Sequence, residues 1–102
     1  MLISHAHVET AAGARYRKQL ASHLGRKNEI REYDDRWDLV FPYGRCSMQV
    51  QSGTGLLTLV ASAATSEDLE HVQRVMGNHL ERFGRHDDLS VTWRGDPMSN
   101  SG

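Results

Sequence analysis

Cysteine is nearly absent from this chain: Cys46 is the only one in 102 residues. No internal disulfide can form, which excludes a disulfide-stapled scaffold and fits a reducing compartment. Long apolar runs are missing as well. None approaches the roughly 20 residues a helix needs to span a bilayer. The opening Met1-Leu2-Ile3-Ser4-His5 has neither the basic region nor the hydrophobic run of a secretory leader, so a cytoplasmic location is expected and no membrane partner. Neither sign of charge dominates. Twelve Lys and Arg stand against 13 Asp and Glu, a formal net charge of −1, which leaves no global basic field to gather nucleic acid. A Walker loop, a dinucleotide fingerprint and a zinc motif are all lacking, so no cofactor and no resident metal is expected. There is no internal repeat.

What is present suits a soluble globule: 38% hydrophobic and 25% charged residues, with six histidines. The length predicts one α+β domain over residues 1–94 and a polar, disordered tail over 95–102. A chain of this size buries very roughly two-thirds of its unfolded surface, enough for one modest core.

Along the chain the hydrophobic period alternates between strand and helix. In residues 2–8, Leu2, Ser4, Ala6 and Val8 share one face and Ile3, His5 and His7 the other, a strand pattern. Thr10 is placed to cap a helix over 11–25, with Tyr16, Leu20 and Leu24 at four-residue spacing, and Gly25 is a natural stop. A weak strand at 29–34 follows. Trp37, Leu39 and Phe41 then alternate, as do Cys46, Met48 and Val50, and Leu57, Leu59 and Ala61, with turns at Asp34-Asp35-Arg36, Pro42-Tyr43-Gly44 and Ser52-Gly53-Thr54-Gly55. Thr65 or Ser66 caps a second, longer helix with the stripe Leu69, Val72, Met76, Leu80 and Phe83, ended by Gly84. Leu89, Val91 and Trp93 predict a last strand. The order β-α-β-β-β-β-α-β has hairpin-length links in its middle, which demand a mostly antiparallel sheet. The expected architecture is a two-layer sandwich with both helices on one sheet face.

Three groups of residues carry the strongest patterns: Arg15-Tyr16 with Lys18-Gln19-Leu20 and His23; Phe41-Pro42-Tyr43-Gly44-Arg45-Cys46; and His79-Leu80-Glu81-Arg82-Phe83. With Ser4-x-Ala6-x-Val8 and Leu89-x-Val91-x-Trp93 they resemble, over about residues 2–94, the bacterial domain of unknown function 2218. The resemblance implies a fold like a single repeat of the TATA-binding protein. It also implies an accessory role in iron acquisition, since members occur beside or fused to siderophore-interacting ferric reductases; such a reductase is the partner it suggests. Some relatives carry a dihydroxyheptenedioate aldolase label. A metal-dependent aldolase of that kind needs a carboxylate-rich site on a barrel of about 250 residues, and this chain offers neither. It departs from its relatives at Arg17, where they tend to be apolar, and in its extra N-terminal histidines.

The candidate site is drawn from the helices. Arg15, Gln19 and His23 fall at i, i+4 and i+8, a polar strip beside the apolar face that includes Tyr16; His79 and Arg82 form a similar strip on the second helix. Joined, the strips would offer donors to a carboxylate, catecholate or phosphate. Apart, they would serve to tie the helices to the sheet. His5-Ala6-His7 has two-ligand metal spacing on a strand but no third ligand. Cys46 shares the register of Met48 and Val50 and should be a buried hydrophobe. Arg15, Arg17, Lys18, Arg26 and Lys27 make a basic helix surface that Asp34, Asp35 and Asp38 should offset. The sheet face away from the helices, with His5, His7, Arg45, Ser47, Gln49, Gln51, Ser90, Thr92 and Arg94, suits solvent, a second copy or a polar ligand. A binding module at the histidine strips is the leading reading. A cofactor-free enzyme using His23 and His79, or a homodimeric interaction domain, are the others.

Overall fold

The computed structural model describes residues 1–95. In chain order the elements are β1 (Leu2–Val8), α1 (Gly13–Leu24), β2 (Glu29–Glu32), β3 (Trp37–Phe41), β4 (Gly44–Val50), β5 (Leu57–Ala63), α2 (Ser66–Phe83), a 3-10 turn over Arg85–Asp87, and β6 (Arg94–Gly95). The strands form one antiparallel sheet in the order β2-β3-β4-β5-β1-β6. The α+β sandwich predicted from the alternating periods is the fold.

Register explains why one face is apolar. Ala6 lies opposite Leu59 and Val8 opposite Leu57; Cys46 lies between Ala61 and Leu39. Because side chains alternate along a strand, these residues all point to one side. There they meet Tyr16, Leu20 and Leu24 of α1 and Leu69, Val72, Met76 and Leu80 of α2, all buried. Each helix contributes a stripe at three- and four-residue spacing. Helix α2 starts where expected: Thr65 Oγ1 accepts a hydrogen bond from the Asp68 amide at 3.2 Å, and Glu67 and Asp68 complement the dipole.

Three expectations need correction. Thr10 does not cap α1. Its hydroxyl oxygen accepts from the Ala12 amide at 2.9 Å, closing a small turn before the helix, and Ala12 takes the cap position. The second strand stops at Glu32, because the Tyr33 amide donates to the Arg36 carbonyl at 2.8 Å and turns the chain early. Residues 89–93 are not a strand but a strap. The Leu89 amide donates to the Gly84 carbonyl at 3.1 Å and the Val91 amide to the Glu81 carboxylate at 2.8 Å, so helix α2 takes the groups a ladder would use. Leu89, Val91 and Trp93 pack onto the core, and only Arg94 and Gly95 pair with β1. The predicted tail thus loses Gly95 to β6, and its remainder, 96–102, lies outside the described residues. Ser90 and Thr92 belong to the strap rather than to a strand and border a depression with His7 and Glu9.

The sheet face away from the helices also holds Asp38, expected from the sequence only as an offset to the basic helix surface. Asp38 is 1% exposed there. Arg36 Nε donates to its carboxylate at 3.2 Å, and Arg45 approaches at 3.9 Å. Asp35 also pairs with Arg36, at 3.6 Å. Two of the three acids expected to offset the basic surface of α1, Asp35 and Asp38, are therefore engaged by arginines of the β2–β3 turn and β4.

Candidate functional site

His23 stands one residue from the end of α1, and His79 one turn from the end of α2. The helices pack so that both C-termini converge, and the two imidazoles meet with ring centroids 5.1 Å apart and planes tilted by 45°. Phe83, four residues after His79 and so on the same helix face, supports both rings. It lies edge-on to His23 at 5.8 Å and at 6.3 Å from His79. His23 is exposed and His79 half-buried.

The two imidazoles differ in their bonding. His79 Nδ1 is 2.7 Å from the Val75 carbonyl one turn back. A carbonyl oxygen only accepts, so Nδ1 carries the proton, and in the neutral ring Nε2 is left with its lone pair. The His23 ring makes no hydrogen bond among the described residues, so both its nitrogens are available to a ligand.

Shallow depressions open on three sides of the pair. One of about 330 Å³ runs over His23 and Phe83 between Arg15, Lys18 and Arg26. A second, about 320 Å³, lies between the two imidazoles and Arg26, Lys27 and Asn28. The third, about 530 Å³, runs from His79 to Arg82 and Arg85. Lys18, Arg26, Lys27, Arg82 and Arg85 form no ion pair among the described residues. The converging helix ends carry about half a negative charge each, and Glu81 adds a carboxylate beside Arg82 and Arg85, together less than the five cations supply. The seam is therefore net positive on a chain whose total charge is −1, and it favours anions.

The residues predicted for the site separate into two sets. His23, His79, Gln19 and Arg82 stand exposed or half-exposed around the seam. Tyr16 and Arg15 are tied to the 3-10 turn after α2 instead. The Tyr16 ring is buried, its hydroxyl donates to the Asp87 carboxylate, and Arg15 reaches both the hydroxyl (3.3 Å) and Asp87 (3.6 Å). The hydrogen bond to Asp87, reinforced by burial, raises the Tyr16 pKa. Arg15 still borders the His23 depression with its exposed end. Sequence reasoning missed Phe83, Arg26, Lys27 and Arg85 as neighbours of the pair. The i, i+4 offset of His79 and Phe83 was a usable signal, but the convergence of two distant helix ends was not.

Other candidates resolve simply. Arg17, on the half-buried flank of α1, lays its guanidinium over the Trp37 ring at 4.3 Å; this cation–π contact lets a charged residue cover an apolar edge. His5 and His7 are exposed, with His7 against Thr58 Oγ1 at 3.2 Å. No group of three or more His, Cys, Asp or Glu fit to hold a metal exists among the described residues. The Phe41-Pro42-Tyr43-Gly44 turn is clamped to α2 by stacking of Tyr43 on His71, with centroids 3.8 Å apart. Burial pushes the Cys46 thiol far above its ordinary pKa, so the thiolate needed for reaction is suppressed. Iodoacetamide at pH 8 is expected to leave Cys46 unmodified in the folded protein over hours and to label it fully in urea. Rapid labelling without denaturant, read by mass spectrometry, would contradict this burial.

With the geometry in place, comparison with known proteins gives a family. The family model of DUF2218, an uncharacterized protein conserved in bacteria, matches residues 5–94. The chain belongs to this family. The DUF2218 match spans both helices, so the whole imidazole seam lies within it. Among solved structures the chain is similar to the NMR structure of PA4090 from Pseudomonas aeruginosa, with 26% identity over 92% of this chain and 96% of that one and a TM-score of 0.75. Comparison with curated proteins gives no match. No helix among the described residues is long and apolar enough to cross a membrane.

Proposed function

We propose that this DUF2218 domain is a small binding module whose site is the His23–His79 seam and whose ligand is a multiply charged small anion. The observation that carries the reading is the meeting of the two imidazoles at 5.1 Å among five cations, Lys18, Arg26, Lys27, Arg82 and Arg85, that form no ion pair among the described residues. A monoanion would leave most of that charge uncompensated, whereas a polyanion engages several cations at once through charge-assisted hydrogen bonds. The family resemblance suggests the setting: an accessory to siderophore-dependent iron use, acting beside a siderophore-interacting ferric reductase, with an anionic siderophore as ligand.

The test is a titration of isotope-labelled protein with a ferric catecholate siderophore, its iron-free form and inorganic phosphate. Ring resonances of His23 and His79 are expected to shift saturably, with affinity falling as salt screens the cations. Unmoved histidine resonances with all three would sink the reading. Shifts with phosphate but with neither siderophore form would keep the anion site and remove the siderophore.

A further inference from the structure

The three depressions around the imidazole pair are not equivalent. Apart from the imidazoles and Leu24, two are bordered only by polar and charged groups, the acid Glu81 among them, and neither has a further aromatic ring. The third has the ring of Phe83 beside that of His23, with Arg15, Lys18 and Arg26 along its rim and Ser22 at its edge. Phe83 is only half-buried there, although it belongs to the apolar stripe of α2. An anion held by cations alone has no use for an aromatic surface. A flat aromatic ring does: it can lie against Phe83 and His23 while its acidic substituents reach the rim. A depression of about 330 Å³ is at the small end of ligand sites, which begin near 300 Å³, and suits a single substituted ring rather than a nucleotide or a flavin.

We infer that the depression over His23 and Phe83 selects planar aromatic polyacids, a single ring bearing several carboxylate or phenolate groups. This rests on the anion-binding reading above and narrows it. Rings packed edge-on or offset gain about 0.5–1.5 kcal/mol beyond area burial, which converts to roughly two- to tenfold in affinity. The cations of the rim act on ring and non-ring anions alike and supply no such preference.

Two probes of equal charge separate the contributions. Benzene-1,3,5-tricarboxylate is flat; cyclohexane-1,3,5-tricarboxylate carries the same three carboxylates on a puckered, saturated ring. In low-salt titrations of the full chain followed by NMR, the aromatic acid is expected to bind about three- to tenfold more tightly and to shift the His23 and Phe83 ring resonances most. Phe83→Leu keeps the apolar volume and should abolish the preference while leaving the saturated acid within about twofold. Arg26→Gln, at an exposed position outside both helices, should weaken both acids to a similar degree. Equal affinities in the parent protein would overturn the aromatic preference and leave the anion site standing. Binding of neither acid, nor of phosphate, would overturn both.

Discussion

Gly55→Ala is expected to lower the melting temperature by about 12 °C or more, while Gly53→Ala, two residues away in the same turn, should lower it by only about 5 °C. Both glycines have positive φ, +87° at Gly53 and +79° at Gly55, a conformation that costs an L-residue on the order of 1 kcal/mol or more. They differ in surroundings. A Cβ on Gly53 meets nothing within 4 Å, whereas one on Gly55 overlaps the carbonyl of Ala11. That obstacle is backbone and cannot rotate away. The Gly55 carbonyl also accepts from the Gly13 amide at 2.9 Å, so the β4–β5 turn holds the first turn of α1. Strain and overpacking together come to about 3–5 kcal/mol at Gly55. In a domain of this size each kcal/mol moves the melting point by roughly 4–8 °C. Calorimetry on the two variants decides: equal losses would mean that φ alone matters and that the contact between turn and helix carries no weight.

The same contact shows where sequence legibility ended. Apolar alternation of Cys46-Met48 and Leu57-Leu59, and the stripes of both helices, repeat within a few residues, so the layer order could be read locally. The pairing of Gly55 with Ala11 and Gly13 joins segments more than 40 positions apart and has no periodic signature. Likewise the strap at 89–93 has the alternation of a strand. Its amides go to Gly84 and Glu81, which only the placement of α2 determines. The imidazole pair was legible as two strips on two helices, because helix faces follow from spacing. Its charge was not. Nothing in the sequence assigns Asp35 and Asp38 to particular cations, yet they pair with Arg36 and Arg45, while Lys18, Arg26 and Lys27 form no ion pair among the described residues.

Tyr16 is where the candidate site and the core come apart, and it yields the second large effect. Tyr16→Ala empties a space in the core and is expected to cost about 3–5 kcal/mol. Tyr16→Phe keeps the ring and removes the hydroxyl, with its bond to the half-exposed Asp87 and its weaker contact from Arg15; about 1.5 kcal/mol is expected, the low end for a bond to a charged partner. The Phe variant should also change the response to alkali. The bond to Asp87, with burial, raises the hydroxyl pKa in the folded protein above its ordinary value of 10.0. A raised folded pKa means the folded state holds the proton more tightly. Its stabilising share is full below about pH 10 and is lost as pH climbs through the folded value. Burial raises the Tyr43 pKa too, so wild-type stability alone does not isolate Tyr16, but the difference between wild type and Tyr16→Phe does. Urea denaturation should show that difference shrinking from pH 8 towards pH 11. Affinity for benzene-1,3,5-tricarboxylate should stay within about twofold in the Phe variant, since the hydroxyl faces Asp87 rather than the depression beside His23. A tenfold loss of affinity with unchanged stability would reverse the assignment and make Tyr16 a ligand contact, with Asp87 its positioning partner.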